Sequence, residues 1–337
     1  EPEPPAPGLN VVFVLIDDLG WRDLGSQGSA YYRTPHIDRL AAEGMRFTSG
    51  YAAANVCSPS RAAIMTGKYP ARLMLTQWLP AGRWSTKKHL MREARYLSAL
   101  PLEEITLAEA LREAGYRTAF MGKWHLGTET YYYPEHQGFD LNVGGRDYGA
   151  PGSYFHPFTG TWKIPTTGKK LVKDSPVTGK EGDYLVDRLA EEAERFVREQ
   201  EDRPFFLFLS HYAVHTPLQG KKEKVARYEK VDEADRQGKP AYAAMVESVD
   251  ESVGRVMAAL RDQEIEDRTL VIFTSDNGGF ARATQNAPLR ANKGSNYEGG
   301  LRVPVIVKWP GRVRAGSVSD VPVIGTDFYP TVLEATG

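Results

Sequence analysis

The sequence predicts an α/β protein with a large mixed, mostly parallel central sheet sandwiched by helices, and three observations predict it. Apolar runs of strand length recur at Val11-Val12-Phe13-Val14-Leu15-Ile16, Phe205-Phe206-Leu207-Phe208-Leu209 and Leu270-Val271-Ile272-Phe273. Continuous rather than alternating apolar residues are what a strand covered on both faces requires. Between the runs lie helically spaced stripes, Leu185, Leu189, Phe196 and Val197, then Tyr242, Met245, Val249, Val253, Val256 and Leu260. Two strand runs also end abruptly in polar pairs, Asp17-Asp18 and Asp276-Asn277. Sheets of this kind bind ligands beyond the carboxyl ends of their strands, so the two pairs can share one site.

Taken in order, Glu1-Pro2-Glu3-Pro4-Pro5 opens a flexible Pro-rich terminus over residues 1–9, either a mature end left after processing or an artificial boundary. After the first strand, Thr34-Pro35 supplies a cap and first-turn proline for a helix carrying Ile37, Leu40 and Ala41, closed by Gly44. Thr106-Leu107-Ala108-Glu109 is a capping box, because the Thr106 and Glu109 side chains can satisfy each other's backbone donors. Gly115 ends that helix, and Tyr116 to Met121 is the next strand. Leu75 to Leu100 and Tyr131 to Lys180 are less regular, and irregular stretches this long usually carry function or move. The Thr326 to Leu333 stretch starts an amphipathic helix that stops at Gly337, so the chain reads as one catalytic domain over 10–337 with a premature end.

Composition narrows the function classes. With 337 residues, 41% of them hydrophobic, the chain can bury a substantial core as one large domain or two smaller ones. No apolar run approaches the roughly 20 residues of a membrane span. The 42 basic residues nearly balance 43 acidic ones, which excludes a whole-protein field drawing it to nucleic acid or an anionic membrane. Anion recognition must therefore be local. The single cysteine, Cys57, cannot form an internal disulfide, and a lone cysteine is by default a small buried hydrophobe.

Several clusters carry chemistry, each with a plainer alternative. Asp17, Asp18, Asp276 and Asn277 offer only oxygen ligands, which suits a hard divalent cation, calcium before magnesium. Asp-Asn-Gly-Gly is equally an excellent turn. Gly122-Lys123-Trp124-His125 puts a cation and an imidazole on a strand-end loop, or is a glycine-bounded turn. His211 to Pro217 brings His215 to another strand end, where it is a reactive group or a hydrogen-bonded structural one. Lys293 to Arg302 surrounds a lysine with small residues, as a binding loop or a flexible one. Together with Cys57 and Arg61, these groups suit a compact tetrahedral oxyanion: arginine offers a planar fork, lysine a point charge, and a metal a Lewis acid.

On these residues the chain resembles a type I, formylglycine-dependent sulfatase of the alkaline phosphatase superfamily, and is arylsulfatase-like. Cys57-Ser58-Pro59-Ser60-Arg61 is similar to the family's maturation signature, and Gly115-Tyr116-Arg117-Thr118 through His125 to its second signature. Asp17-Asp18, His215, Asp276-Asn277 and Lys293 fall in the family's order. The resemblance implies an alkaline-phosphatase-like fold whose small C-terminal subdomain is largely absent here. It implies that a formylglycine-generating enzyme converts Cys57 to 3-oxoalanine. Calcium would then be held by Asp17, Asp18, Asp276, Asn277 and the modified Cys57.

The implied chemistry is nucleophilic attack on sulfur by the hydrated aldehyde. Arg61 and Lys123 hold that diol, and Lys123, His215 and Lys293 neutralise the sulfate oxygens. His215 or Lys293 protonates the leaving alcohol, and His125 removes the proton that lets the product sulfate leave. The family also places a sulfate-binding side chain after the run His136-Gln137-Gly138-Phe139, with Tyr148 and Ser153 both in range. The expected substrate is a sulfated saccharide, with aryl sulfates as surrogates and no nucleic-acid partner. Tyr131-Tyr132-Tyr133, Trp162 and the Trp78 to Arg92 segment form either its rim or ordinary packed loops, and Lys221-Lys222-Glu223-Lys224 reads as a solvated face. The family implies a secreted, periplasmic or lysosome-like location with a signal peptide removed. The competing readings are a phosphodiesterase or phosphonate monoester hydrolase of the same superfamily, and a non-catalytic sulfated-glycan binding relative. Oligomeric state is not encoded in any of these features.

Overall fold

Every residue of the Asn10–Ile16 strand is buried, as a run of apolar side chains with no polar face demands. The strand pairs in parallel with Phe205–Ser210 on one side and Thr269–Ser275 on the other. It lies inside an eight-stranded sheet of order Ser317–Ser319, Met45–Phe47, Val305–Lys308, Thr269–Ser275, Asn10–Ile16, Phe205–Ser210, Arg117–Gly122 and Leu141–Val143. Val305–Lys308 runs against both of its neighbours, and the other pairings in the sheet are parallel. The expected mixed, mostly parallel sheet is therefore present. This computed structural model describes residues 8–80, 90–91, 94–127, 129–163, 170–173, 175–200 and 203–337. Most of the expected N-terminal tail and the middle of the Trp78 to Arg92 segment lie outside the described residues.

The central strand sorts its side chains onto two cores. Val12, Val14 and Ile16 pack with the helices Pro35–Glu43, Leu185–Arg198 and Pro240–Asp262. Val11, Phe13 and Leu15 face Cys57–Thr66, Leu107–Glu113 and Phe328–Thr336. On that second face Phe13 stacks on Phe208 at 4.8 Å and meets Phe328 edge-on at 5.3 Å, tying the last helix to the sheet. No described helix is long and apolar enough to cross a membrane.

Local signals held where a side chain closes its own turn. In the capping box, Thr106 Oγ1 accepts from Glu109 N (3.1 Å) and Glu109 Oε2 accepts from Thr106 N (2.8 Å). Gly115 takes φ +90° just beyond it, and the strand that follows is Arg117–Gly122, one residue later than the Tyr116 to Met121 expectation. The Thr34 cap needs correction. Its Oγ1 instead accepts from Gly25 N and donates to Asp38 Oδ1, tying down the preceding turn. The cap arrives in trans: Asp250 Oδ1, from the Pro240–Asp262 helix, accepts from Ile37 N at 2.8 Å.

Burial pushes the Asp250 carboxyl up to about 7, although the Ile37 and His36 amides favour its charge. A raised folded pKa means that the folded protein keeps a proton the unfolded chain loses, so stability falls as pH rises from about 4 to 7. Asp250→Asn, which retains the accepting oxygen, should gain stability relative to the parent between pH 5 and pH 8 in thermal melts. A constant difference across that range would refute this account of Asp250.

Two further expectations are corrected. The Cys57–Thr66 segment, to which the sequence assigned no secondary structure, is a helix with every residue buried, closed by Gly67 at φ +66°. The Lys221 to Lys224 run is a solvated face only at Lys222 and Glu223. Lys224 is buried, its Nζ donating to Ser248 Oγ (3.1 Å) and pairing with Glu251 (2.6 Å), while Lys221 pairs with Asp187 (2.6 Å). Lys221 and Lys224 face acidic and hydroxyl partners on neighbouring helices, a match invisible in the local composition.

Candidate active site

Four adjacent parallel strands, Thr269–Ser275, Asn10–Ile16, Phe205–Ser210 and Arg117–Gly122, end on the same side of the sheet. Asp276-Asn277, Asp17-Asp18, His215 and Lys123 with His125 follow their ends. The Cys57–Thr66 helix adds Cys57 in its first turn and Arg61 one turn later, a spacing that puts both on one face. Lys293 reaches in from its glycine-bounded loop. All ten residues singled out from the sequence meet in one place.

A lattice of charge-assisted contacts holds them. Arg61 donates from Nε to Asp276 Oδ2 (2.8 Å) and from one terminal nitrogen to the Lys123 carbonyl (2.7 Å) and Ser210 Oγ (2.6 Å). Its other terminal nitrogen lies 2.8 Å from Asp276 Oδ2 and 3.8 Å from Asp17 Oδ1. Lys123, fully buried, donates to Asp17 Oδ2 at 2.6 Å. Lys293 Nζ donates to Asp18 Oδ1 at 2.5 Å and lies 3.6 Å from Cys57 Sγ. Asn277 Nδ2 donates to the same Asp18 oxygen at 2.8 Å. The backbone is bent to suit: Asp18 and His125 sit at φ +63° and +61°, a left-handed region that costs non-glycine residues about 1–2 kcal/mol. Gly122 is required at its turn, because at φ +103° a Cβ would lie 1.9 Å from the Ser210 carbonyl oxygen.

Burial governs the titration of the cluster. It raises Asp17 well above the carboxylate range, with Asp276 and Asp18 adding to the rise and Lys123 opposing it. Burial also opposes ionisation of Asp18, but Lys293, His215 and Lys123 outweigh it and hold that carboxyl below its ordinary range. Arg61 and Lys123 do the same for Asp276. The Cys57 thiol is pushed up by burial despite Lys123 and Lys293 nearby. It is not the activated thiolate of a cysteine nucleophile.

The two histidines are distinguishable. Burial and Lys123 hold His125 well below its usual value, so it is neutral. Its Nε2 lies 2.5 Å from the Leu79 carbonyl, which can only accept, so Nε2 carries the hydrogen and the unpartnered Nδ1 is a bare lone pair. Gly149 leaves room for the ring, since a Cβ there would come within 2.4 Å of His125 Cε1. Burial and Lys293 push His215 down to about 3. Its Nδ1 faces the Thr216 carbonyl at 2.8 Å, which leaves a lone pair on Nε2, 3.7 Å from Asp18 Oδ2. Two acceptors facing each other in this way call for a proton or a cation.

The donor set fits a hard cation. Asp17 Oδ1 and Asn277 Oδ1 are buried acceptors without a partner, and ligand atoms of Asp17, Asp18 and Cys57 lie within 4.8 Å of one another. Among the described residues, the carboxyl groups of Asp17, Asp18 and Asp276 are matched in number by Arg61, Lys123 and Lys293, although burial disfavours the charge on Asp17 until a cation joins it. A divalent cation would leave the site net positive, as an oxyanion requires.

The cluster opens into a cleft of about 1310 Å³ lined by Asp18, Cys57, His125, His215 and Lys293, and by the aromatic residues Trp78 and Trp162. Tyr148 lines it too, whereas Ser153 turns to Gln219 and does not. The Tyr131 to Tyr133 run lies off the cleft: the Tyr132 carbonyl accepts from Trp124 Nε1 and Tyr133 is buried. Ser210 was missed by sequence reasoning. It ends a buried apolar strand, and its hydroxyl donates to the Lys123 carbonyl (2.8 Å) while accepting from Arg61. A polar residue closing such a run was the available signal.

A family profile described as Sulfatase matches residues 9–337. The chain is 34% identical over its whole length to N-acetylgalactosamine-6-sulfatase of Canis lupus familiaris, spanning 63% of that protein. It is also 34% identical to arylsulfatase A of Homo sapiens, with 97% of this chain and 64% of that protein covered. Among solved structures, that of Ps i-CgsB in complex with k-i-k-neocarrahexaose superposes with a TM-score of 0.80 at 35% identity, covering 98% of this chain and 72% of that one.

Proposed function

The chain belongs to the sulfatase family, and on that premise we propose that it is the catalytic domain of a sulfuric ester hydrolase that removes an O-sulfate from a sulfated saccharide. The observation that carries this reading is the convergence of Cys57 with the carboxylates Asp17, Asp18 and Asp276 and the cations Arg61, Lys123 and Lys293 in one buried, charge-balanced cluster. Carbohydrate as the substrate class draws support from the names of the relatives, one acting on N-acetylgalactosamine sulfate and one bound to a neocarrahexaose. We place the protein outside the cytosol, in a secreted, periplasmic or lysosome-like setting, where calcium is available.

Cys57 is proposed to be converted to formylglycine by a dedicated maturation enzyme, supplying a hydrated aldehyde as nucleophile where the buried thiol is inert. Asp17, Asp18, Asp276 and Asn277 would hold a calcium ion, which would polarise the sulfate and the nucleophile. The chain's own groups do the rest. Arg61 orients Asp276 and the Lys123 loop rather than reaching freely into the cleft. Lys293 binds the sulfate oxygens and, as the protonated member of the pair with His215, donates to the leaving alcohol. Burial opposes its charge, but Asp18 outweighs burial and keeps Lys293 protonated. His215, neutral in the protein alone, accepts or relays at Nε2, and the bare Nδ1 of His125 is the base.

The decisive experiment is co-production with a formylglycine-generating enzyme. Conversion of Cys57 should lower the intact mass by about 18 Da and abolish thiol labelling. The modified protein should hydrolyse an aryl sulfate faster than the matched phosphodiester or phosphonate. Preference for the phosphodiester would overturn the sulfatase reading. A fully modified protein that binds sulfate esters without turning them over would make it a binding relative.

Calcium should also stabilise the fold, because it satisfies acceptors that nothing else pairs with. At about 100 times its dissociation constant the gain is ~2.7 kcal/mol, visible as a higher melting temperature that chelation reverses. Asp276→Asn should lose most of that response. An equal calcium response in the variant would remove Asp276 from the ligand set.

A further inference from the structure

Lys173 is a cation of the cleft that the proposed reaction does not use. It ends the Lys170–Lys173 strand of a hairpin with Gly160–Lys163, outside the main sheet, yet lines the same cleft as Cys57 and Lys293. The reacting sulfate already has Lys123, His215 and Lys293 around Cys57. Among the described residues no carboxylate pairs with Lys173. Its Nζ, among the described residues, donates to the Pro151 carbonyl, at 3.3 Å, and lies 6.0 Å from the centre of the Trp162 ring. Burial, reinforced by Lys123, lowers it to about 8. A cation that no described carboxylate neutralises is a group able to take an anion.

The surroundings say what carries that anion. Trp162 lies on the hairpin and Trp78 across from it on the loop before Leu79, with ring centres 6.0 Å apart and planes at 52°. Both indoles line the cleft and both are half-buried. Aromatic faces of this kind cover the apolar face of a sugar ring, while an adjacent ammonium reads its substituents. The amide pair Asn55 and Asn296, joined at 2.6 Å, also lines the cleft and offers partners for hydroxyls.

We propose that the cleft selects a saccharide bearing a second anionic group, a sulfate ester or a uronate carboxylate, on or next to the ring that carries the reacting sulfate, with Lys173 holding that second anion beside the Trp78 and Trp162 rings. The proposal deepens the desulfation reading of this cleft and rests on it. A singly sulfated sugar brings no anion to Lys173, so it binds more weakly.

The test begins with binding, which needs neither modification nor turnover. Unmodified protein is titrated calorimetrically with galactose or N-acetylgalactosamine disaccharides carrying one sulfate, two sulfates, or one sulfate and a uronate carboxylate. The parent should bind at least one doubly anionic probe about tenfold more tightly than the singly sulfated one, the factor of one ~1.4 kcal/mol contact. Lys173→Ala should bring that ratio close to one and Lys173→Arg should keep it. In the modified enzyme, the same variants should move KM for the doubly anionic probes rather than kcat. Whichever probe gains more identifies sulfate or carboxylate as the second anion.

The proposal is overturned if the parent binds all three probes alike or binds none, or if Lys173→Ala keeps the full ratio. Failure of the desulfation reading looks different: fully modified parent protein leaves aryl sulfates and all three probes intact, while the Lys173-dependent binding ratio persists.

Discussion

Cys57→Ala, produced together with the maturation enzyme, is expected to lose roughly 10⁴-fold or more in kcat towards an aryl sulfate, while its affinity for sulfate esters changes only a few-fold. The asymmetry follows from the geometry. In the proposed mechanism the oxyanion is held by Lys123, His215 and Lys293, whose side chains all remain when Cys57 is replaced, although Lys293 Nζ loses its neighbour at 3.6 Å. Cys57 contributes the reacting atom and at most one ligand to the calcium, so its loss falls mainly on kcat. Cys57→Ser sharpens the point, because a serine hydroxyl can attack once and then has no second hydroxyl to expel the sulfate. A single burst of alcohol release followed by near-silence is the expected trace. Unmodified Cys57 protein should resemble the alanine variant, because burial holds its thiol neutral in spite of two lysines nearby. Turnover by unmodified protein at a rate close to that of the modified enzyme would show the thiol itself to be the nucleophile, and would sink the formylglycine account.

Much of this site was legible in the sequence because the fold makes it legible. A parallel sheet puts the carboxyl ends of its strands together, so Asp17 and Asp276, separated by most of the chain, meet because each follows a buried apolar run. Cys57 and Arg61 were recognisable as a pair, although the helix that aligns them was not foreseen. Its residues are buried all round, so it shows no amphipathic stripe for a periodicity to reveal. Asp250 as the cap of a distant helix, and Lys224 as a buried cation, depend on partners 213 and 24 residues away. Nothing local encodes such pairings. Lys173 is the clearest case: among the lysines of its irregular stretch, only the three-dimensional neighbourhood of Trp162 and the cleft sets it apart. The tyrosine run at 131–133, open in the sequence between rim and packed loop, resolves to the loop: the Tyr132 carbonyl accepts from Trp124 and the Tyr133 ring lies under Arg146.

Arg61→Ala should destabilise the unmodified protein by about 3–5 kcal/mol, the cost of leaving a buried ion pair without one partner. The unmodified state is the right one for the measurement, because Arg61 also lies in the segment through which the resemblance ties Cys57 to its maturation enzyme. Stability and modification must be read separately. Arg61 neutralises Asp276, approaches Asp17, and satisfies the Lys123 carbonyl and Ser210 hydroxyl with the same fork. Lysine cannot reproduce that geometry with one ammonium, so Arg61→Lys should recover the charge and lose the lattice, giving a melting temperature between parent and alanine variant. Calcium supplies the missing positive charge next to Asp17 and Asp276, and should therefore raise the melting temperature of Arg61→Ala by more than it raises that of the parent. If Arg61→Lys melts with the parent, the fork is not what holds the cluster. If calcium stabilises Arg61→Ala no more than the parent, then the arginine and the cation do not balance the same carboxylates, and the charge balance derived for this site is wrong.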